Sequence, residues 1–264
     1  MFQMAGTVAA ACAVDAFLVE PNWLDVTRHA VGVPRMLRGL HGYTIAQVTD
    51  AHLTSVGRTE RAIIETIQAN EVQLVVLTGD IIDSAEHFGV LKDFCAALRK
   101  SGVELVATLG NWEHWGAVPL DQLKRLYSDF GVKLLVNDSF VSREGVSVAA
   151  TDDGTAGRPR FSVMEEGLKA EARILLTHSP ALWDSLPDST PRHALAVAGH
   201  THGGQVRVTE SAVPVRPPGS GRFVSGWYDT SAGRSYVSRG TGTSIVPARF
   251  SCRPELPLFT LQQG

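Results

Sequence analysis

The sequence predicts an α/β fold, and two observations carry that prediction. Short apolar runs rich in β-branched residues alternate with stretches of helical periodicity between residues 43 and 130, which is typical of strand–helix–strand units and a largely parallel sheet. The chain has 264 residues, of which 44% are hydrophobic and 19% charged, so it can bury the core of one globular domain. Its formal charge of −3 provides no general attraction to nucleic acid, and we expect no nucleic-acid partner.

The first half of the domain is predicted to contain three strands and three helices. The helices are indicated by apolar residues at helical spacing, such as Ile63, Ile64 and Ile67, with charged residues facing outward. In chain order, the strands are predicted at residues 43–48, 72–77 and 103–109, and the helices at 59–69, 87–100 and 119–130.

The second half is predicted to continue the alternation of strands and helices as far as His202 and to consist of short strands after it. We expect strands at residues 132–136, 146–149, 173–177 and 195–198, a polar loop at 151–160, and a helix at 165–172. Beyond His202, short apolar runs separated by glycine and proline favour antiparallel pairing. The clearest loop spans residues 214–221. It either rims a site near the preceding histidines or forms a surface hairpin with Trp227 and Tyr228 nearby.

Metal-competent side chains follow five of the predicted strands. These are Asp50 and His52, Asp80 with Asp83, Asn111 with Glu113 and His114, His178, and the pair His200 and His202. In open α/β sheets, ligands bind outside the carboxyl ends of the strands. A donor set of Asp, Asn and His without sulfur favours two divalent transition-metal ions, namely Mn, Fe, Zn, Ni or Co, over calcium. The sequence therefore predicts a two-metal hydrolytic site.

The ordered motifs Asp50-x-His52, Gly79-Asp80-x-x-Asp83, Gly110-Asn111, His178 and Gly199-His200-x-His202 resemble those of the calcineurin-like metallophosphoesterase family. The resemblance runs from about residue 43 to the C-terminus. Gly203-Gly204-Gln205 and the tail from Ser238 to Leu256 are similar to a bacterial branch of that family. The resemblance implies a four-layer α/β/β/α sandwich with two mixed sheets.

The resemblance also implies how the metals are shared. Asp50, His52 and His202 would hold one ion, Asn111, His178 and His200 would hold the second, and Asp80 would bridge them. A hydroxide between the two ions would attack phosphorus in line. Asp83 and Glu113 are expected to orient ligands or to cap helices. Four further histidines match no ligand position, namely His29, His41, His87 and His193, and we expect His193 on a surface turn.

One position departs from the family motif, which continues Gly-Asn-His where this chain has Trp112. The family's histidine is thought to protonate the leaving group or to contact the phosphate, and an indole cannot shuttle a proton. Three interpretations stay open. In the first, His114 serves as the acid and acts beside the other predicted catalytic residues, Asp80 and Asn111. In the second, the substrate has a leaving group good enough to need no acid. In the third, the activity is weak.

A metal-dependent phosphodiesterase acting on a small phosphoester is the function that these patterns favour. Two alternatives stay open. One is a hydrolase of a membrane-associated pyrophosphate such as UDP-2,3-diacylglucosamine. The other is a catalytically weak metal-binding scaffold.

The N-terminal segment, residues 1–40, is predicted to lie outside the phosphoesterase domain at 41–264. Residues 4–19 are apolar, but Asp15 interrupts them and the run is short for a membrane span. Members of the resembled branch often carry an N-terminal anchor or export signal, so this run is either a remnant of one or a helix packed on the domain. Residues 28–41, with Arg28 and Arg35, fit an anionic lipid surface or a simple linker. The expected location is therefore cytoplasmic or peripherally membrane-associated.

Overall fold

The computed structural model describes residues 10–33, 38–165, 172–207, 209 and 213–263. The strands are β1 (Asp25–Val33), β2 (Thr44–Val48), β3 (Leu74–Thr78), β4 (Glu104–Thr108), β5 (Val132–Leu134), β6 (Asp138–Val141), β7 (Val146–Ala150), β8 (Ala172–Leu176), β9 (His193–Ala198), β10 (Gly226–Thr230), β11 (Gly233–Val237) and β12 (Glu255–Gln263). The α-helices whose two ends both lie within the described ranges are α1 (Arg58–Ala69), α2 (Phe88–Arg99), α3 (Asn111–Trp115) and α4 (Leu120–Asp129). Short 3₁₀ helices include Phe161–Glu165, Pro180–Ser185 and His202–Gly204.

The strands form two mixed sheets of six. The first has the order β1-β12-β2-β3-β4-β5, and the second has the order β10-β11-β9-β8-β7-β6. Strands β2, β3, β4 and β5 run parallel to one another in the first sheet, and β7, β8, β9 and β11 do so in the second, where β6 pairs with β7 in the antiparallel sense. Beyond His202, the β10–β11 hairpin and the β12–β2 pair are antiparallel, whereas β12 pairs with β1 in parallel. The prediction of antiparallel pairing beyond His202 therefore agrees with the structure for the β10–β11 and β12–β2 pairs but not for the β12–β1 pair.

The two sheets pack face to face and helical elements cover their outer faces. Leu74 and Val76 of β3 point between the sheets, toward Ile174 and Val197. Val75 alternates with them and belongs to the cluster under α1, α2 and α4. Because successive strand residues point to opposite faces, a strand buried on both sides is apolar throughout. The predicted four-layer α/β/β/α sandwich is confirmed.

The strand and helix predictions agree with the structure within a few residues. The expected helix at 165–172 falls almost wholly on residues outside the described ranges, although Ala172 already belongs to β8. The surface turn expected at His193 is wrong. His193 begins β9 and is only 5% exposed, because its neighbour β11 covers it and its N–H donates to the Ala232 carbonyl at 2.8 Å.

The N-terminal segment contributes more than a linker. Asp25–Val33 was predicted to lie outside the phosphoesterase domain, but it forms β1 at the edge of the first sheet. Residues 10–22 are helical, and the buried carboxylate of Glu20 accepts hydrogen bonds from the main-chain N–H groups of residues 251 and 252. Phe17 and Leu18 stay exposed, however. The described part of this helix is therefore held by polar contacts and not by burial of its apolar side chains. Within the described ranges, no helix has the length and apolar character that crossing a membrane requires.

Candidate metal centre

The carboxyl ends of β2, β3, β4, β8 and β9 meet in one place, because these strands run parallel within their sheets and the sheets are stacked. All seven side chains predicted as ligands lie there, each no more than 7% exposed: Asp50, His52, Asp80, Asn111, His178, His200 and His202. The structure thus brings the complete set together. It also arranges the set as two groups.

The first group consists of Asp50, His52 and His202, whose ligand atoms all lie within 4.8 Å of one another. His202 Nε2 is 3.5 Å from Asp50 Oδ1 and 3.1 Å from His52 Nε2. Two imidazole nitrogens facing each other at this distance, beside a buried carboxylate, are arranged as ligands around a common point. The first group could therefore hold one ion.

The second group consists of Asp80, His178 and His200, again with ligand atoms within 4.8 Å, together with Asn111. Asn111 Oδ1 lies 2.7 Å from His200 Nδ1 and 3.1 Å from His178 Nε2. Asp80 Oδ2 is 3.1 Å from His178 Nε2 and 3.9 Å from His52 Nε2, which belongs to the first group. Asp80 therefore faces both groups.

Three of the imidazoles are fixed from behind. His52 Nδ1 lies 2.5 Å from Asp83 Oδ1, His178 Nδ1 lies 2.8 Å from the Thr78 carbonyl, and His200 Nε2 lies 2.6 Å from the Pro218 carbonyl. A partner that accepts the proton of one ring nitrogen leaves the other nitrogen unprotonated and orients it. The orienting role expected for Asp83 is seen here. The contact from Pro218 was not foreseen from the sequence.

The backbone at the site is unusual. Five of the seven residues, namely Asp50, His52, Asp80, His200 and His202, have φ between 44° and 70°. Residues other than glycine rarely adopt this left-handed region, and such strain of about 1–3 kcal/mol each is concentrated at functional sites. The tight turns that follow the strands thus aim the side chains inward at an energetic cost.

Glycines allow these turns to approach each other. A Cβ on Gly110 would lie 2.5 Å from the main-chain nitrogen of Asp80, and one on Gly199 would press on the carboxylate of Asp50. Gly79 has φ of +86°, and its Cβ would lie 2.7 Å from His178 Nδ1. Close approach of neighbouring atoms explains why glycine precedes Asn111 and His200, and at Gly79 the positive φ is a second reason for glycine.

Burial and mutual charge perturb the ionisable groups strongly. Burial raises the pKa of Asp50, and the neighbouring charge of Asp80 raises it further. Burial lowers the pKa of His202 well below its usual value, and His52 adds to the shift. Burial also opposes ionisation of His178, but Asp80 more than compensates and raises its pKa. Two buried carboxylates beside imidazoles form a site that cations stabilise, so the donor set fits two divalent ions.

Glu113 and His114 lie behind the site. The Glu113 carboxylate accepts hydrogen bonds from the N–H groups of Asp80 (2.9 Å), Ile81 (2.8 Å) and Gly110 (2.8 Å), so it fixes the turns that carry Asp80 and Asn111. His114 Nε2 lies 2.8 Å from Asp152 Oδ1, and His114 is not among the residues lining the cavity above the metal groups.

A cavity of about 480 Å³ opens above the two groups. The residues that line it include four members of the metal groups, Asp80, Asn111, His200 and His202, together with Trp112. The loop at residues 214–218 also lines the cavity. Of the two interpretations of this loop, the structure therefore agrees with the one in which it forms the rim of the site. Trp227 instead packs against other aromatic side chains between the sheets, including Tyr236 and Phe259.

Comparison with known proteins agrees with this geometry. The sequence profile of the calcineurin-like phosphoesterase superfamily domain matches residues 44–225, a range that includes both metal groups. The Bacillus subtilis protein named uncharacterized metallophosphoesterase YkuE is 30% identical over 254 residues, which covers 92% of this chain and 87% of the relative. Phosphodiesterase YaeI of Escherichia coli is 25% identical over 251 residues, or 92% of this chain and 90% of the relative.

A solved structure has the same fold. The crystal structure of a dimetal phosphatase from Danio rerio superposes with a TM-score of 0.50 at 14% sequence identity, over 76% of this chain and 88% of that one. At this level of identity, the likeness concerns the arrangement of the sheets and helices.

Proposed function

The chain belongs to the calcineurin-like phosphoesterase superfamily and is a metal-dependent phosphoesterase, and we propose that it hydrolyses phosphodiesters. The observation that carries the proposal is the position of Asp80, which faces both metal groups. We assign Asp50, His52 and His202 to one ion, Asn111, His178 and His200 to the other, and Asp80 to both. Donors of nitrogen and oxygen suit Mn, Fe, Zn, Ni or Co.

The chain's own residues contribute position and charge. Two divalent ions held by these residues would supply Lewis acidity and would activate water for attack on phosphorus. The Asp80 carboxylate would neutralise part of their charge, and its Oδ1 accepts a hydrogen bond from the main-chain N–H of Trp112 at 2.8 Å, which fixes its orientation. Asn111 adds an uncharged oxygen, which limits the negative charge near an anionic substrate.

Two observations favour diesters over monoesters. YaeI, which matches nearly the whole chain, is named a phosphodiesterase. In addition, Arg216 is the only Lys or Arg among the described residues that line the cavity, and its Nη1 donates to the Gly221 carbonyl at 3.0 Å. A dianionic monoester requires more compensating charge than a monoanionic diester, so a cavity with few cations suits the diester.

Leaving-group protonation is the open part of the chemistry. Trp112 occupies the position of the family's histidine, and its indole donates a hydrogen bond but cannot shuttle a proton. We retain His114 as the candidate acid in this proposal: its hydrogen bond to Asp152 raises its pKa, and because its ring does not line the cavity, this role requires the side chain to turn toward the substrate. A substrate whose leaving group departs as a stable anion makes such an acid dispensable.

The test compares bis(p-nitrophenyl) phosphate with p-nitrophenyl phosphate in the presence of Mn²⁺. We expect faster hydrolysis of the diester and complete loss of activity in Asp80→Ala, while Asp93→Ala on the exposed side of α2 retains it. No turnover with Mn, Co, Ni or Zn would show that the chain is a metal-binding scaffold. Turnover of UDP-2,3-diacylglucosamine without turnover of simple diesters would identify a pyrophosphate hydrolase instead.

A further inference from the structure

The cavity above the metal groups has polar ligands on its floor and mainly apolar walls. One wall is aromatic and contains Trp112 and Trp115, whose rings lie 5.8 Å apart in an edge-on arrangement. Four aliphatic side chains also line the cavity, and we call them the aliphatic wall: Val206, Val215, Ile245 and Val246. The same cavity is thus lined by ligands of both metal groups and by these apolar side chains.

The aliphatic wall is exposed although its residues are hydrophobic. Ile245 is 91% exposed and Val215 is 73% exposed, and none of its four residues belongs to a hydrophobic core cluster of the described residues. Single exposed hydrophobic residues are common on proteins. Several that share one cavity above a reactive site indicate a binding surface for an apolar group.

The chain holds Ile245 in this exposed position at a cost. Ile245 has φ of 64°, a conformation that β-branched residues rarely adopt. The Gln205 side chain holds the peptides on both sides, because its Nε2 donates to the Val246 carbonyl at 2.7 Å and its Oε1 accepts from the Ser244 N–H at 2.9 Å. Gln205 follows directly after His202-Gly203-Gly204. The loop that carries the metal ligands therefore also fixes the aliphatic wall.

Three of the polar side chains around the cavity already make hydrogen bonds within the protein. Thr201 Oγ1 donates to the Val224 carbonyl at 2.6 Å, and Arg216 and Gln205 donate to main-chain carbonyls as described above. Proline residues in the 214–218 loop have no N–H to offer. A base or sugar, which needs hydrogen-bond partners, is therefore served less well here than a hydrocarbon chain.

We propose that one ester substituent of the substrate is an aliphatic chain, which lies along the aliphatic wall while the phosphate sits over the metal groups. This inference rests on the proposed phosphodiesterase function and specifies its substrate class. Each methylene that moves from water to the wall favours binding, so affinity increases with chain length until the wall is covered.

The experiment compares p-nitrophenyl methyl phosphate with p-nitrophenyl hexyl phosphate, with Mn²⁺ and at concentrations where both esters are monomeric. We expect kcat/KM to increase by about two- to four-fold per buried methylene, mainly through a lower KM. Equal kcat/KM for both esters would overturn the inference and leave the phosphodiesterase assignment intact. Hydrolysis of neither ester would refute the phosphodiesterase assignment itself.

Variants locate the binding surface. Ile245→Asn removes an apolar side chain, and asparagine tolerates a positive φ better than isoleucine does, so we expect the variant to fold. The hexyl-to-methyl ratio of kcat/KM should fall in Ile245→Asn and further when Val215→Ser is added. Val141→Asn is the matched control, because Val141 is 55% exposed but lies outside the cavity on β6. An unchanged ratio in the double variant, with an unchanged melting temperature, would contradict the inference.

Discussion

Replacing Gly199 by alanine tests the geometry of the first metal group with a single methyl group. The new Cβ would lie 2.8 Å from Thr49 Cγ2 and closer still to Thr49 Oγ1 and to Asp50 Oδ2. Gly199 is not among the residues with positive φ, so the backbone itself accepts alanine. The perturbation is therefore steric, and it acts on a ligand without removing one.

The size of the effect follows from the displacement. Carbon atoms of this kind do not approach neighbours within 3.0 Å, so the Asp50 carboxylate has to move by roughly 1 Å, and a misplacement of that size costs about 10²-fold in rate. We also expect a loss of about 1–3 kcal/mol in the free energy of unfolding from overpacking. The Asp50 carboxylate accepts the His200 N–H at 2.8 Å, so the histidine loop would be displaced as well.

Calorimetric titration with Mn²⁺ and hydrolysis of bis(p-nitrophenyl) phosphate measure the two consequences. We expect one of two ions to bind more weakly and kcat/KM to fall about 10²-fold. Gly89→Ala is the matched control, because a Cβ at that position in α2 would meet no described atom within 4 Å beyond its chain neighbours and the helix's own backbone. It should leave activity unchanged and stabilise the fold by about 0.5–1 kcal/mol. Two ions bound at full affinity with unchanged kcat/KM in Gly199→Ala would refute the assignment of Asp50 as a ligand.

Three further predictions concern individual side chains. Asp83→Ala should weaken the affinity for one ion by about 10- to 100-fold, because it removes the partner of His52 Nδ1; equal affinities of wild type and variant in a metal titration would contradict this. Trp112→His should speed hydrolysis of phenyl esters, whose leaving group needs protonation, by up to about 10²-fold and that of p-nitrophenyl esters far less; a uniform change would argue against an acid role. Burial lowers the pKa of His193 from 6.5 to about 4, so the unfolded chain takes up this proton first and stability falls as the pH drops from 6.5 toward 4. Denaturant titrations should show a loss of about 2 kcal/mol between pH 7 and pH 5 that His193→Asn lacks.

Much of the metal centre could be predicted from the sequence, because both of its signals are local. A short apolar run marks a strand, and a polar side chain directly after the run marks the carboxyl end. Asp50, Asp80 and His200 each follow such a run. Parallel strands then bring these ends together, whatever the details of the loops between them.

Other features depend on contacts between distant parts of the chain, which leave no local pattern. Strand β1 pairs with β12, more than 200 residues further along the chain, so a pattern within residues 25–33 could not identify it. The carbonyl of Pro218 that orients His200 is equally remote. The exposure of Ile245 was not predictable either, because hydrophobicity alone favours burial and only the fold shows that this loop lies at the mouth of the cavity.

Trp112 connects the chemistry of the site with the substrate inferred for it. The indole stacks edge-on to His52, with 6.1 Å between the ring centres, and also faces Trp115. An imidazole at this position offers a proton but removes apolar surface from the aromatic wall. A diester with a stable leaving group gains little from the proton, whereas a diester with an aliphatic substituent gains from the apolar surface that the indole adds to the cavity beside the aliphatic wall. Trp112→His should therefore accelerate the hydrolysis of esters with poor leaving groups while it lowers the hexyl-to-methyl ratio of kcat/KM. If the two effects have these opposite signs, Trp112 contributes to substrate recognition and is not merely a position that has lost its acid.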